Sequence, residues 1–232
     1  MSKVTNFYEH IPTKMLDIAE NPNEHIHGIK LPFRMCVSAP SGSGKTNMVL
    51  NLLKQFSAGK GTFHDITICT RNKDEPLYNY LHSIAPEIVI KEGMSGLPIL
   101  DKMDKKKNHL VVVDDLLLEK NQDPIVNYYI RCRKLNCSII YLSQSYFDIP
   151  SLIRKNCSYM VFLKIGGVRE IKDILRNFGL GVSKEQLMGM YDYATDEKFG
   201  CLLLDLEANI DKKFRKNFDE YLDPSDFGED EE

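Results

Sequence analysis

Short apolar runs alternate with helix-like stretches along most of the sequence. Apolar runs typical of strands cover residues 33–39, 65–70, 87–91, 109–115, 137–143, 158–164 and 200–206. Helix-like stretches cover residues 44–56, 76–84, 123–135, 167–178 and 183–193. Strands and helices at this spacing form βαβ units, and the runs 110–113 and 139–142 are apolar throughout, as in strands buried on both faces. We therefore predict an α/β fold with a mainly parallel central sheet flanked by helices.

This regular pattern is lost at both ends of the chain. Residues 1–32 are polar and irregular, and three prolines break any long element there. Residues 223–232 hold six carboxylates and no basic side chain, which is typical of a solvated, disordered end. We therefore predict an N-terminal arm over 1–32, one folded domain over 33–222 and an acidic tail over 223–232.

The composition suits a single soluble domain. The chain has 232 residues, and 43% of them are hydrophobic, enough for a full core. The net charge is −3, but six carboxylates lie in the tail, so residues 1–222 carry a net charge of +3. The N-terminus lacks the apolar segment of a signal peptide, and no apolar run approaches the ~20 residues needed to cross a bilayer. We expect a soluble, intracellular protein without a membrane partner.

The six cysteines include no CxxC pair, and five of them fall in or beside apolar runs. A disulfide framework is not expected in a chain of this length with so much core. We interpret the cysteines as small core residues of a protein from a reducing compartment.

A glycine-rich motif, APSGSGKT, directly follows the first predicted strand and precedes an apolar helix. It has the Walker A spacing, with alanine in place of the usual first glycine. The two glycines allow backbone N–H groups to turn inward, and the following helix adds the positive end of its dipole, so an anion is favoured. A turn with a purely structural role is the competing interpretation. We predict a nucleoside triphosphate site formed by Ala39, Pro40, Ser41, Gly42, Ser43, Gly44, Lys45 and Thr46.

Two of these side chains have predicted individual roles. Lys45 is expected to reach the β- and γ-phosphates of ATP. The Thr46 hydroxyl is expected to ligate Mg²⁺.

A second acidic motif, HLVVVDD, covers residues 109–115 and reads as a buried strand that ends in two carboxylates. This is the Walker B arrangement. Asp114 is expected to hold Mg²⁺ beside Thr46, and Asp115 to orient or deprotonate the attacking water. Many proteins with this motif carry glutamate at the second position, and aspartate is one methylene shorter. The alternative interpretation is a strand followed by an acidic turn with no function. The Walker A motif upstream makes this interpretation unfavourable.

The next apolar run, CSIIYLS, is followed by Gln144. In ATPases with a strand inserted between the two Walker strands, a polar residue at this place faces the γ-phosphate and senses its presence. We predict this role for Gln144, with Ser143 as the neighbouring candidate. A polar cap on a strand end is the alternative.

Arg131, Arg133 and Arg154 are the candidates for an arginine that completes the site of a neighbouring subunit. On a helix, Arg131 and Arg133 point about 200° apart, so they cannot both have the role of this arginine. For each arginine taken singly, a surface role is a strong competing interpretation.

Weaker signals lie outside these motifs, among them Arg169, Lys172 and Arg176 at helical spacing, which are a further, unspecific candidate for contact with a phosphate backbone. His25 and His27 with Glu24 resemble a metal cluster only superficially, and we expect solvated side chains in the arm. The lysines of the segment 102–107 form a basic run before the Walker B strand. Such a run is usually a solvated loop, although contact with a phosphate backbone is the alternative.

The order of these motifs resembles the FtsK/HerA superfamily of DNA-pumping ATPases, and more closely the genome-packaging ATPases of large DNA viruses, virophages and related viruses. The resemblance covers about residues 33–206 and is carried by the two Walker motifs and the stretches RCRKLNCSIIYLSQS and IPSLIRKN. In that family a glutamine ends the strand after Walker B, and a Pro-x-x-x-Arg-x-Asn-like segment follows. Here these residues are Gln144, Pro150, Arg154 and Asn156.

The resemblance implies a P-loop NTPase fold of the RecA/ASCE type and an ATPase that uses ATP and Mg²⁺ to move double-stranded DNA into a preformed capsid. It further implies a homo-oligomeric ring, pentameric or hexameric, in which ATP binds at the subunit boundary and the neighbour supplies an arginine. The capsid shell protein would be a second partner, and the virion or the virus assembly site in the host-cell cytoplasm would be the location.

Two other functions remain open at the level of sequence. A small nucleoside or nucleotide kinase would need an acceptor pocket and an arginine-rich lid, and would act without DNA. A non-motor, nucleotide-gated assembly factor would bind ATP and oligomerise without DNA-stimulated hydrolysis.

Overall fold

One nine-stranded sheet forms the centre of the computed structural model, which describes residues 5–12, 20–176 and 181–228. Its strands are β1 (Arg34–Ser38), β2 (Asp65–Thr70), β3 (Val89–Glu92), β4 (His109–Asp114), β5 (Cys137–Ser143), β6 (Tyr159–Leu163), β7 (Cys201–Asp205), β8 (Phe214–Lys216) and β9 (Glu220–Tyr221). The α-helices of the described residues are α1 (Glu24–His27), α2 (Lys45–Phe56), α3 (Pro76–Ile84), α4 (Asp123–Arg131), α5 (Ser151–Asn156), α6 (Val168–Arg176), α7 (Lys184–Ala194) and α8 (Ile210–Lys213).

The strand order is β3-β2-β4-β5-β1-β6-β7-β8-β9. Strands β1 to β6 are parallel to one another, whereas β7, β8 and β9 are each antiparallel to the preceding strand. Strand β5 lies between β1 and β4, so one strand is inserted between the strands that carry the two Walker motifs. The predicted α/β fold with a mainly parallel sheet is therefore confirmed.

Two apolar layers cover the sheet. Residues of α2 and α3 pack on one face together with inward side chains of β1 and β4, such as Val37 and Val112. Residues of α4, α5, α6 and α7 pack on the other face with the alternate side chains, such as Cys36 and Val113. Every residue of β4 and β5 is buried because helices cover both faces of these central strands. All six cysteines are buried and unbridged, as interpreted from the sequence.

The element ends differ from the predicted ones in a few places. The predicted helix over 123–135 ends its α-helical part at Arg131 and continues as a 3₁₀ helix over Cys132–Leu135. Such tightening is common at the end of a helix, and here Asn136 adopts the left-handed conformation that ends it, with φ 47°. The short strands β8 and β9 were not predicted, because runs of two or three residues carry too little periodicity. Residues 177–178 of the predicted helix 167–178 lie outside the described residues.

The described part of the predicted arm packs against the domain. The Asn23 amide nitrogen contacts the carbonyls of Phe56 and Ala58 at 2.9 and 3.0 Å, and Ile29 is fully buried in the core. The expectation that His27 is solvated was wrong: it is fully buried, and its Nδ1 accepts a hydrogen bond from the Ile29 N–H. The arm residues 1–4 and 13–19 lie outside the described residues.

The first residues of the predicted acidic tail also contact the domain. Pro224 is buried in a 3₁₀ helix over Pro224–Asp226, and the Phe227 ring lies 5.6 Å from the ring of Tyr193 on α7. The structure thus departs from the predicted disorder over 223–228, because Pro224 and Phe227 give this stretch apolar surface to bury. Residues 229–232 lie outside the described residues. Across the described ranges, we find no helix with the length and apolar character to cross a membrane.

Candidate active site

The predicted site residues meet at one edge of the sheet. Strands β1, β2, β4 and β5 are parallel, so the loops that follow them lie at the same edge. A cavity of about 420 Å³ opens there, within the size range of small-molecule sites. Its lining residues are Ser41, Gly42, Gly44, Lys45, Thr46, Asn47, Glu75, Leu77, Asp114, Asp115, Gln144 and Phe199. The two Walker motifs and Gln144 thus form one cavity, although Ser41 and Gln144 are 103 residues apart in the chain.

The phosphate loop has the backbone that its glycines predict. Gly42 and Gly44 have φ values of 75° and 98°, a region that residues with a side chain rarely adopt. Gly44 is the residue that precedes α2, so the positive end of this helix faces the cavity. Ala39 is not among the residues with positive φ, and its N–H donates to the Ser143 carbonyl at 3.1 Å. An alanine is therefore tolerated where the motif usually has glycine.

Lys45 lies on the phosphate loop itself. Its ammonium donates to the carbonyls of Ala39 at 2.6 Å and Pro40 at 2.8 Å. Burial lowers the pKa of Lys45, while the carboxylates of Asp114 and Asp115 act in the opposite direction. These two hydrogen bonds hold the ammonium against the backbone of the loop.

The buried carboxylate of Asp114 is held by a tyrosine that the sequence did not reveal. The Tyr78 hydroxyl donates to Asp114 Oδ2 at 2.5 Å and also interacts with the Thr46 side chain. Burial is the main cause that raises the pKa of Asp114 to about 6, and the like charges of Glu75 and Asp115 add to it, whereas the Tyr78 hydrogen bond and Lys45 oppose it. The groups that disfavour the charged form of this carboxylate therefore outweigh those that favour it.

The oxygen atoms of Thr46 and Asp114 fit the predicted magnesium ion. Both side chains line the same cavity, and both interact with the Tyr78 hydroxyl, so they lie close together. Magnesium prefers oxygen ligands and is commonly bound through one or two carboxylates plus phosphate oxygens. The donor set is therefore chemically suitable.

Asp115 and Gln144 are hydrogen-bonded to each other. The Gln144 side-chain N–H donates to Asp115 Oδ1 at 2.8 Å. Asp115 has φ 53°, a left-handed conformation that aspartate tolerates better than most residues with a side chain. Ser143, the other sensor candidate, directs its hydroxyl to the Ser145 carbonyl at 2.7 Å. Of the two candidates, only Gln144 lines the cavity.

The three candidate arginines do not line this cavity within the described part of the chain. Arg131 forms an ion pair with Asp101, and Arg133 approaches Glu207 at 3.9 Å. Helix α4 runs back from the end of β4 toward the start of β5, so both residues lie near the opposite edge of the sheet. Arg154 lies over the Tyr146 ring, 4.8 Å from its centroid.

Four lining residues were missed at the sequence level: Asn47, Glu75, Leu77 and Phe199. Asn47 directly follows the Walker A motif, and Glu75 lies in the loop after β2, which ends at the same edge of the sheet as β1 and β4. Their positions in the sequence could therefore have indicated that both residues lie near the site. Phe199 precedes β7, whose antiparallel direction the apolar pattern does not encode. Tyr78 could not be distinguished from an ordinary core residue of α3.

Comparison with known proteins places these features in context. The family model described as Poxvirus A32 protein matches residues 25–201, well over half of the chain. The DNA packaging protein of Variola virus is 26% identical over 176 residues, which cover 70% of this chain and 64% of that protein. The chain thus matches less than two thirds of the length of this curated relative.

Solved structures share the fold at low identity. The genome packaging NTPase B204 from Sulfolobus turreted icosahedral virus 2 has a TM-score of 0.55 at 12% identity, over 77% of this chain and 94% of that chain. The same protein in complex with ATP-gammaS gives a TM-score of 0.52 at 14% identity, over 75% and 92%. EssC from Geobacillus thermodenitrificans, described as ATPases 2 and 3, has a TM-score of 0.54 at 13% identity, over 86% of this chain and 41% of that chain. The fold is therefore that of the P-loop ATPases.

Proposed function

Because this chain belongs to the Poxvirus A32 protein family, we propose that it is an ATPase that drives double-stranded DNA into a preformed viral capsid. The observation that carries the proposal is the single cavity that unites the phosphate loop, Asp114 and the Asp115–Gln144 pair. The relative from Variola virus is named a DNA packaging protein, and the structural neighbour B204 is a genome packaging NTPase solved with an ATP analogue. Both names support the same function for this chain.

Phosphate binding would use the loop and its lysine. The backbone N–H groups at the start of α2 would surround the phosphates of ATP, and the Lys45 ammonium would neutralise the charge of the β- and γ-phosphates. Its present partners are two neutral carbonyls, of Ala39 and Pro40. An anionic phosphate oxygen is a stronger partner for an ammonium than either carbonyl.

The metal would be held by Thr46 and Asp114. When bound, Mg²⁺ supplies positive charge to the phosphate oxygens and orients them. The chain's own contribution is to hold a buried carboxylate and a hydroxyl in place, and the Tyr78 hydroxyl bridges the two.

Hydrolysis would use Asp115 to accept the proton of the attacking water, which typically contributes ~10²–10⁴-fold in rate. Gln144 holds Asp115 in the free protein. We propose that Gln144 exchanges this partner for the γ-phosphate when ATP is bound, and so reports the nucleotide state to the rest of the subunit.

We further propose a ring of five or six subunits around DNA, docked on the capsid shell protein at the virus assembly site in the host cytoplasm. The absence of arginine from the described cavity lining supports a site that is completed by a neighbour. An arginine supplied in this way is worth ~10³–10⁵ in rate.

The direct experiment is to measure ATP hydrolysis by the purified chain with and without linear duplex DNA, together with its mass in solution. We expect DNA to stimulate hydrolysis by an oligomer. Lys45→Ala should abolish turnover, whereas Lys54→Ala, an exposed lysine of the same helix, should not. Turnover that needs a nucleoside acceptor would indicate a kinase, and an oligomer whose hydrolysis ignores DNA would indicate a non-motor assembly factor.

A further inference from the structure

Phe199 is an exposed aromatic residue with a strained backbone beside the phosphate loop. It lies in the loop between α7 and β7, has φ 71° and keeps 43% of its surface exposed. A left-handed conformation is unfavourable for a bulky side chain and persists only where the surroundings enforce it. Such strain is concentrated at ligand sites, and Phe199 lines the cavity that holds Lys45.

The loop around Phe199 is held firmly. The Gly200 N–H donates to the Glu197 carbonyl at 3.0 Å, and the Glu197 carboxylate pairs with the Lys216 ammonium at 3.2 Å. Gly200 has no room for a side chain, because an added Cβ would lie 2.5 Å from the Ala194 carbonyl oxygen. These contacts constrain the backbone on both sides of Phe199.

The ring rests on the phosphate loop. A Cβ added to Gly44 would lie 2.3 and 2.8 Å from two carbon atoms along one edge of the Phe199 ring. The Lys198 ammonium lies over a ring face, 5.0 Å from the centroid. The ring is thus in contact with the residue that immediately precedes Lys45, while Phe199 as a whole stays 43% exposed and lines the cavity.

The strand order decides which end of a nucleotide would meet this ring. Asp114 and Gln144 follow β4 and β5, on one side of β1, where the metal and γ-phosphate chemistry is placed. The Phe199 loop arrives from the other side, since β6 and then β7 follow β1 in the sheet. Because β7 is antiparallel to β6, with Cys201 paired to Leu163, the start of β7 lies at the same edge as the phosphate loop.

We propose that Phe199 is the stacking platform for the base of the bound nucleotide. A triphosphate with its γ-phosphate toward Asp115 and Gln144 extends across the loop, so its nucleoside end points toward β6 and β7. Phe199, which lines the cavity and is 43% exposed, lies at that end and would stack on a planar base. Every base has a π-face, so a phenyl ring without hydrogen-bonding groups binds adenine and guanine with little discrimination. This inference rests on the proposed nucleotide binding.

The test compares nucleotides with a ligand that has no base. Phe199→Ala should weaken binding of both ATP and GTP by about 10- to 100-fold, while inorganic tripolyphosphate should bind as it does to the unaltered protein. Phe7→Ala, at an exposed phenylalanine remote in sequence, is the matched control. Equal ATP binding by Phe199→Ala and the unaltered chain would overturn the inference. Tighter binding would overturn it as well, since the ring would then obstruct the loop.

A spectroscopic variant keeps the inference testable if the alanine variant does not fold. The sequence contains eleven tyrosines but no tryptophan, so Phe199→Trp introduces a single tryptophan, which can be excited selectively and preserves a stacking surface. ATP and GTP should change its fluorescence, and tripolyphosphate should not, whereas Phe7→Trp should respond to none of them. An emission that responds equally to all three ligands would contradict base stacking. If the unaltered chain and Lys45→Ala both fail to bind ATP, the nucleotide site itself is refuted, and this outcome is distinct from the others.

Discussion

The hydroxyl of Tyr78 donates a hydrogen bond of 2.5 Å to the carboxylate of Asp114, although 36 residues separate the two in the chain. Tyr78 is 1% exposed and lies in the first turn of α3, which follows β2. Strand β2 is the neighbour of β4 in the sheet, so α3 begins beside the carboxylate that ends β4. One oxygen of Asp114 is thereby fixed by a core residue.

Loss of this hydrogen bond should impair catalysis more than folding. In Tyr78→Phe, Asp114 loses a charge-assisted partner of ~1.5–3 kcal/mol, and its orientation toward the metal is no longer fixed. We expect about a tenfold or larger fall in ATP turnover at limiting Mg²⁺, partly recovered at high Mg²⁺. Titrating the ATPase rate against Mg²⁺ measures this. Tyr80→Phe, on the exposed side of the same helix, is the control, and identical titrations for both variants would contradict a positioning role for Tyr78.

Asp115→Asn should separate ATP binding from hydrolysis. Asparagine tolerates the left-handed backbone of this position, and its carbonyl can still accept the hydrogen bond from Gln144, so the local structure should be kept. An amide cannot accept the proton of the attacking water, and we expect turnover to fall by ~10²–10⁴-fold with little change in ATP affinity. Single-turnover kinetics and binding of an ATP analogue measure the two effects. Turnover at the unaltered rate would show that another group, such as the Glu75 carboxylate that also lines the cavity, acts as the base.

Mixed oligomers can show whether an arginine acts across a subunit boundary. Arg131→Ala, Arg133→Ala and Arg154→Ala would each be mixed with Lys45→Ala, which supplies intact arginines but cannot bind phosphate. We expect at least one inactive arginine variant to recover activity in the mixture, since some boundaries then hold an intact lysine and an intact arginine. Steady-state ATPase rates over a range of mixing ratios provide the measurement. If all three variants are fully active alone, or if no mixture recovers activity, the proposed arginine in trans is refuted.

The burial of His27 predicts a pH dependence of stability. Burial lowers the pKa of His27 from 6.5 to about 4, and the positive charges of Arg215 and His25 add to the effect. Between these two values the unfolded chain binds a proton that the folded chain does not, so the free energy of unfolding falls as the pH is lowered from about 6.5 to about 4. The full contribution is about 3 kcal/mol.

Denaturant unfolding at several pH values measures this contribution. His27→Gln removes the titrating group and should flatten the pH dependence relative to the unaltered chain, even if its stability at neutral pH is lower. His25→Gln alters an exposed neighbour and should leave the slope nearly unchanged. Parallel pH profiles for His27→Gln and the unaltered chain would show that the slope has another source.

The sequence by itself determined the α/β fold, the phosphate loop and the strand that ends in Asp114. These features depend on residues adjacent in the chain: the glycines set the turn between β1 and α2, and continuous apolar runs set the buried strands. The sequence also assigned Asp115 and Gln144 to one predicted ATP site, whereas the hydrogen bond between them was found only in the structure.

Only the tertiary structure decided which other residues surround the phosphate loop and Asp114. Strand order and direction place Tyr78, Glu75 and Phe199 at the cavity, and the apolar pattern specifies neither order nor direction. The same limit explains His27, because the irregular pattern of residues 1–32 gave no sign that α1 packs it against Phe56. Local periodicity reports which face of an element is buried, whereas contacts between distant segments depend on how the elements are assembled.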